Sequence, residues 1–104
     1  MDTISAQELK RRMDAGESLH IIDVREPDEV AESRIEGSTH IPLGDIMSFQ
    51  LGELEDLDKD TELIMQCRSG KRSMQAGMML ETMGFTNVKN MEGGILDWQA
   101  LNGK

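Results

Sequence analysis

Two apolar runs dominate the pattern of hydrophobic and polar positions along the chain. The first extends from Leu19 to Val24 and the second from Glu62 to Cys67. Short runs that are apolar at successive positions are typical of strands covered on both faces of a sheet. The pattern therefore predicts two central strands, the second of which ends at a cysteine.

Three segments have the spacing of amphipathic helices. Ser5-Ala6-Gln7-Glu8 has the form of a capping box, and Gly16 can end the helix that follows it. Ser73 to Met83 is predicted as a second helix and Ile95 to Leu101 as a third. The second helix carries an apolar stripe of the kind that usually packs into a core. Its members are Met74, Met78, Met79, Leu80 and Met83.

Shorter elements lie between these segments. The pattern predicts a helix from Pro27 to Ser33, a brief strand from Ser38 to Leu43, a helix from Asp45 to Leu54, a turn at Asp58-Lys59-Asp60 and a last strand from Val88 to Met91. Strands that alternate with helices indicate an α/β fold, with a central, mainly parallel sheet flanked by helices on both faces. We expect one domain over residues 1–104. Ligand sites in such sheets lie at the carboxyl ends of the strands, which is where Cys67 is predicted.

Composition and charge exclude several classes of function. The 104 residues are 38% apolar and 30% charged, with a net charge of -9. An acidic surface repels nucleic acids and anionic membranes, so we expect neither as a partner. The chain has no apolar run long enough for a membrane span and no signal-peptide pattern at its start. One cysteine allows no intramolecular disulfide and no zinc cluster, so we expect a cytoplasmic protein without a metal or cofactor.

Positive charge is concentrated in one part of this acidic chain. Residues 63–80 contain no Asp or Glu, whereas Arg68, Lys71 and Arg72 all lie within them. Taken alone, this charge pattern favours a solvated basic loop. An island of positive charge directly after a cysteine, however, indicates a local anion site.

The segment from Cys67 to Ser73, called here the Cys67 loop, joins a predicted strand to a predicted helix. A loop that wraps onto a helix N-terminus turns its backbone N–H groups inward, and Gly70 allows the positive φ angle that such a cradle needs. These dipoles and the basic neighbours should favour the thiolate, which activates the thiol without a histidine base. A buried structural cysteine is the commoner fate of a lone cysteine. The strand-to-helix position and the basic loop favour the nucleophile.

Loop length separates two kinds of cysteine chemistry. A cysteine-based phosphatase needs an arginine six positions after the cysteine, where this chain has Ser73, and Arg72 stands one place earlier. No second cysteine is present to act as a resolving thiol. The pattern therefore favours sulfur chemistry with a compact anion, and a phosphatase or arsenate reductase stays the less favoured alternative.

The Cys67 loop resembles the active-site loop of the rhodanese-like sulfurtransferases. Three further segments resemble motifs of that family in order and spacing: Ile22-Asp23-Val24-Arg25, Arg34 to Pro42, and Gly93-Gly94-Ile95-Leu96-Asp97-Trp98. Two departures are visible, since Glu36 stands where many members have proline and Ser38-Thr39 replaces a more apolar pair. The resemblance spans nearly the whole chain and implies a rhodanese fold.

The resemblance also implies a reaction. Cys67 would take a sulfane sulfur from an anionic donor such as thiosulfate, become a persulfide, and pass the sulfur to a thiol or a protein acceptor. The implied substrate-binding residues surround it: Arg68, Ser69, Gly70, Lys71, Arg72 and Ser73. Lys71 and Arg72 are preferred over Arg68 as contacts to the anion, and Ser73 is either a helix cap or a substrate contact.

One further alternative function and four further residues remain to be interpreted. The domain could instead be a persulfide relay with low activity on free thiosulfate, and we expect a monomer or a weak dimer. Asp23 and Arg25 are interpreted as a structural pair, and His20 and His40 as packing or surface residues, because the loop itself can activate the thiol.

Overall fold

The computed structural model describes residues 1–102, so the last two residues of the predicted 1–104 domain lie outside the described residues. Its centre is a sheet of five strands in the order β1-β5-β4-β2-β3, with every neighbouring pair parallel. The strands are β1 (Asp2–Ile4), β2 (Ile21–Asp23), β3 (Thr39–His40), β4 (Leu63–Gln66) and β5 (Val88–Met91). The helices are α1 (Ala6–Asp14), α2 (Pro27–Glu32), α3 (Leu43–Met47), α4 (Lys71–Thr82) and α5 (Gly94–Leu101), with a 3₁₀ helix at Gly52–Asp56.

Two apolar clusters cover the two faces of the sheet, as the predicted α/β class requires. Successive side chains of a strand point to opposite faces, so Met65 packs with residues of α3 and α4. Its neighbour Ile64 packs with residues of α1 and α5. The central strand β4 is therefore buried on both sides, which explains its continuous apolar run. The predicted fold class is confirmed.

The strands differ from the sequence pattern mainly at their ends. The two long apolar runs form strands of three and four residues, and β5 has the predicted bounds. Strand β1 was not predicted. It is three residues long and buries only Ile4, so its pattern is too short to recognise, and pairing with β5 is what orders it.

The predicted helix from Asp45 to Leu54 is wrong. Helix α3 ends at Met47, and Phe49 then adopts a left-handed conformation with φ of 62° before the 3₁₀ helix begins. Ile46, Leu51 and Leu54 are all buried in the same cluster. On a straight helix these three positions would spread over an arc of about 140°. The break after α3 instead brings all three side chains into one cluster.

Three local predictions also need correction. The Ser5 hydroxyl accepts from the Glu8 amide, but the Glu8 carboxylate binds Arg11 instead of completing the capping box. Helix α4 begins at Lys71 with Gly70 as its N-cap, so Ser73 is not a helix cap. Leu80, Met79 and Met83 pack against the core as predicted. Two members of the same stripe do not, because Met74 is 47% exposed and Met78 is 55% exposed.

Within residues 1–102, no helix has the length and hydropathy needed to cross a bilayer.

Candidate active site

The Cys67 loop connects the carboxyl end of β4 to the N-terminus of α4. Cys67 directly follows the buried strand, and Gly70 takes φ of 102°, the left-handed conformation expected for it. The first helical hydrogen bond runs from the Met74 amide to the Gly70 carbonyl. The amides of the first turn therefore have no helical acceptor, and the loop turns them toward the cysteine.

The thiol of Cys67 is enclosed by this loop. The side chain is 1% exposed, the Gly70 amide donates to Sγ at 3.1 Å, and the Ser73 hydroxyl lies 3.4 Å from the same atom. Burial disfavours the thiolate, but the Ser73 hydroxyl and the amides of Ser73, Gly70 and Ser69 outweigh it and lower the pKa of Cys67. The prediction from the sequence attributed the activation of the thiol partly to the basic side chains of the loop. The largest favourable contributions come instead from the hydroxyl and the loop amides.

The N-terminus of α5 holds the loop from the other side. The Ile95 amide donates to the Cys67 carbonyl at 2.8 Å and the Leu96 amide donates to the Arg68 carbonyl at 3.3 Å. The buried side chain of Gln66 also donates to the Cys67 carbonyl, at 2.8 Å. With the carbonyls bound in this way, the N–H groups of the loop are free to face the sulfur.

Asn90 is a buried site residue that the sequence analysis missed. Its Nδ2 donates to the Gly70 carbonyl at 3.0 Å, and its Oδ1 accepts from the Ser73 hydroxyl at 2.5 Å. Asn90 belongs to β5, which lies beside β4 in the sheet. A polar residue near the carboxyl end of a predicted parallel strand was the signal that could have identified it.

The three basic side chains of the loop have different environments. Arg72 forms a two-pronged ion pair with Glu29 of α2, at 2.6 and 2.9 Å. This guanidinium, against a smaller opposing effect of burial, lowers the pKa of Glu29 to about 2. Arg68 and Lys71 are exposed, and neither has an ion-pair partner among residues 1–102. Arg68 also lines a cavity of about 280 Å³ between α2 and α5.

Asp23 and Arg25 form the structural pair that the sequence predicted. Both are buried, the Arg25 Nη2 donates to the Asp23 carboxylate at 2.8 Å, and the same nitrogen donates to the Ser33 carbonyl at 2.7 Å. The Nε2 of His40 forms a hydrogen bond with the Arg25 carbonyl, and His20 is exposed. Within the described part of the chain, no group of three His, Cys, Asp or Glu side chains has the arrangement of a metal site.

Comparison with known proteins agrees with this geometry. Residues 5–101 match the rhodanese-like domain family, and the chain belongs to that family. The resemblance drawn from the Cys67 loop and the three further motifs is thereby confirmed.

Two curated relatives and one solved structure illustrate the similarity of this chain to known proteins. The chain is 46% identical over 96 residues to "Putative sulfurtransferase YtwF" of Bacillus subtilis, covering 92% of this chain and 88% of that protein. It is 37% identical over 95 residues to "Putative sulfur carrier protein YrkF" of the same organism, covering 91% of this chain but 49% of that protein. A rhodanese-like domain protein of Staphylococcus aureus superposes with a TM-score of 0.82 at 30% identity, covering 94% of this chain and 91% of that one. By homology, the chain is a member of a sulfurtransferase and sulfur-carrier family.

Proposed function

We propose that the protein is a sulfurtransferase that moves a sulfane sulfur from thiosulfate, or from another persulfide donor, to a thiol or protein acceptor through a persulfide on Cys67. One observation carries the proposal: the Cys67 sulfur lies in a cradle of backbone amides, with the Gly70 amide at 3.1 Å. Donors arranged in this way stabilise negative charge on sulfur, both on the thiolate and on an outer sulfur bound to it.

The two steps each exchange one sulfur–sulfur bond. In loading, the Cys67 thiolate attacks the outer sulfur of thiosulfate, a new S–S bond forms, and sulfite leaves with the electron pair of the old bond. In discharge, the thiolate of the acceptor attacks the outer sulfur of the Cys67 persulfide, and the Cys67 thiolate leaves. A lowered pKa of Cys67 supports both steps, because it raises the fraction of thiolate before loading and makes Cys67 the better leaving group in discharge.

The surroundings of the cradle fit a small anionic donor. Cys67 is 1% exposed, so a reagent must enter the loop to reach the sulfur, which favours a compact molecule over a bulky one. Arg68 and Lys71 are exposed beside it and can attract a sulfonate. The sequence analysis preferred Lys71 and Arg72 over Arg68 as contacts to the anion. Because Arg72 is already paired with Glu29, we instead assign the main contribution to Arg68 and Lys71.

Thiosulfate loading tests the proposal directly. The reduced protein is incubated with thiosulfate, freed of reagent and weighed intact, and we expect a gain equal to one sulfur atom. Addition of cyanide should remove that mass and produce an equivalent amount of thiocyanate. The Cys67→Ser variant replaces the sulfur with a smaller, weakly nucleophilic oxygen and should gain nothing.

The outcomes of this test are distinct. Loading by thiosulfate supports the thiosulfate assignment. No loading by thiosulfate, or by any persulfide donor, contradicts the sulfur-carrier role as a whole, provided that circular dichroism shows a folded protein. Hydrolysis of an aryl phosphate that depends on Cys67 would instead support the phosphatase alternative, which Ser73 at the sixth position disfavours.

A persulfide relay is the second candidate, and the name of YrkF as a sulfur carrier is the observation that favours it. In that case a protein persulfide loads Cys67 much faster than thiosulfate does. Comparing the loading rates for the two donors at equal concentration separates the candidates. In either case we propose that the protein is cytoplasmic and is a monomer or a weak dimer. The reducing cytoplasm would keep Cys67 as a thiol between cycles.

A further inference from the structure

The Ser73 hydroxyl has one hydrogen and two acceptors to which it can donate. Its oxygen lies 2.5 Å from the Oδ1 of Asn90 and 3.4 Å from the sulfur of Cys67. A hydroxyl donates one hydrogen bond, so the two acceptors compete for it. All three residues are buried, and the described contacts provide the hydroxyl with no other acceptor.

The orientation of the Asn90 amide is fixed by a second contact. The amide nitrogen donates to the Gly70 carbonyl at 3.0 Å, and a flipped amide would place two carbonyl oxygens against each other. The oxygen of Asn90 must therefore face Ser73. Asn90 can only accept from this hydroxyl, which makes it a permanent competitor of the sulfur.

We propose that Asn90 is a positioning residue for Cys67: it accepts the Ser73 hydrogen while the sulfur is neutral, and gives it up when the sulfur is a thiolate. With a neutral thiol, the S–H can donate to the Ser73 oxygen while Ser73 donates to Asn90. With a thiolate, the hydroxyl rotates and donates to the sulfur. The rotation changes only the hydrogen-bond acceptor, and the hydrogen stays on the Ser73 oxygen.

The competition makes the thiolate less stable than the cradle alone would allow. Turning the hydrogen toward the sulfur leaves the buried Asn90 oxygen without its donor, and an unsatisfied buried acceptor is unfavourable. If Cys67 carries a persulfide, as the proposed function requires, the same competition for the Ser73 hydrogen acts in the loaded protein. The inner sulfur of a persulfide is neutral, so the hydrogen returns to Asn90 until discharge regenerates the thiolate.

Removing the acceptor tests the idea without any sulfur donor. Asn90→Leu has nearly the same shape, excludes water and accepts no hydrogen bond. We expect the midpoint of the pH profile for Cys67 alkylation by iodoacetamide to fall by about one unit, which is a tenfold higher ratio of thiolate to thiol at a fixed pH. The ultraviolet absorbance of the thiolate gives the same midpoint independently. Asn87→Leu is the control. Asn87 directly precedes the amino end of β5, away from the Cys67 loop, so this change should leave the midpoint unchanged.

A double-variant cycle separates positioning from a purely structural role. In Ser73→Ala there is no hydrogen to compete for, so adding Asn90→Leu should leave the midpoint of Ser73→Ala unchanged. If Asn90 only braces the loop through Gly70, its removal loosens the cradle, and the midpoint rises with or without Ser73. Asn90→Ala, which introduces no bulk, repeats the test should Asn90→Leu fail to fold.

The possible results decide between this proposal and the proposed function. A midpoint that is unchanged or raised in a folded Asn90 variant overturns the positioning role, even if thiosulfate loads Cys67 normally. An equal fall of the midpoint in the Ser73→Ala background overturns it as well. A fall that requires Ser73 supports the role, and it does so even if no sulfur donor loads the protein, because alkylation measures the thiol alone.

Discussion

Gly94 lies where the N-terminus of α5 meets the backbone of the Cys67 loop. A Cβ at this position would lie 2.4 Å from the Arg68 carbonyl oxygen and 2.5 Å from the Cys67 carbonyl oxygen, and its φ is +56°. The first helical turn of α5 can approach the Cys67 loop only because this side chain is missing. A glycine here is thus required for a close approach of two backbones.

Gly94→Ala should therefore destabilise the protein and displace the loop. We expect the free energy of unfolding, measured in urea, to fall by about 2–4 kcal/mol, because both a clash and backbone strain are introduced. The pH profile of Cys67 alkylation should shift upward as the loop amides move away from the sulfur.

Two other glycines serve as controls for this change. Gly44→Ala lies in α3 with open space and no positive φ, so it should stabilise the protein by about 0.4–1 kcal/mol. Gly37→Ala has open space but φ of +84°, and isolates the backbone strain, about 1–2 kcal/mol. If Gly94→Ala is no worse than Gly37→Ala, the close approach does not constrain the loop.

At the scale of elements, the N-terminus of α4 carries an unusual charge distribution. Its first turn has no acidic residue and begins with Lys71 and Arg72. Cations at a helix N-terminus oppose the helix dipole, at about 0.3–1 kcal/mol each. Arg72 is compensated by its pair with Glu29, which ties α4 to α2, whereas Lys71 has no ion-pair partner in the part of the chain that the structure describes.

The two neighbouring cations should consequently separate stability from donor binding. Lys71→Gln should raise the KM for thiosulfate several-fold and stabilise the fold by about 0.3–1 kcal/mol, because it removes an unfavourable charge. Arg72→Gln should instead lower the free energy of unfolding by about 1 kcal/mol, because it leaves Glu29 unpaired, and should change KM less. Steady-state kinetics and urea denaturation of both variants check this. A Lys71→Gln variant with unchanged KM would contradict the assigned role of Lys71 in attracting the donor.

At the scale of the whole molecule, Glu62 joins distant parts of the chain. It directly precedes β4, at the end of the strand opposite Cys67. Its carboxylate accepts from Arg12 of α1 at 2.6 Å and from Lys89 of β5 at 2.7 Å. The hydrogen bond from Arg12, against the opposing effect of burial and with help from Lys89, lowers the pKa of Glu62 from its ordinary 4.5 to about 2. The ion pairs thus connect the residue before β4 to helix α1 and to the neighbouring strand β5.

The lowered pKa makes the stability depend on pH in one direction. A carboxyl whose pKa is lower in the folded state stabilises the fold above pH 4.5 and loses that effect as the pH falls toward 2. Glu62→Gln should therefore cost about 2 kcal/mol at neutral pH, allowing for partial exposure, and progressively less in acid. Urea denaturation at a series of pH values measures the difference between the two proteins.

Glu8 provides the matched control. It pairs with Arg11 on the surface of α1, its pKa is also lowered, and both side chains are exposed. Ion pairs of this kind contribute little in water, so Glu8→Gln should leave the pH dependence of stability almost unchanged. A difference between wild type and Glu62→Gln that stays constant down to pH 2 would contradict the assigned linkage.

Local patterns were sufficient where one short segment carries all the information. The apolar run of β4, the glycine at position 70 and the cysteine between them predicted the strand, the left-handed turn and a thiol beside the loop amides. This worked because a φ restriction and a helix N-terminus act on neighbouring residues only. Strand β1 and the break near Phe49 escaped the pattern. Pairing with β5 orders the strand, and the break accompanies the burial of Ile46, Leu51 and Leu54 in one cluster.

By itself, then, the sequence determined the α/β class, the Cys67 loop and the family to which they belong. Only the tertiary structure decided what surrounds the sulfur. Asn90 reaches Ser73 from 17 residues away, and Glu29 reaches Arg72 from 43 residues away. The order of strands in the sheet places β5 beside β4 and α5 behind the loop, and hydrogen bonds and close approaches depend on distances in space that residue spacing along the chain does not specify.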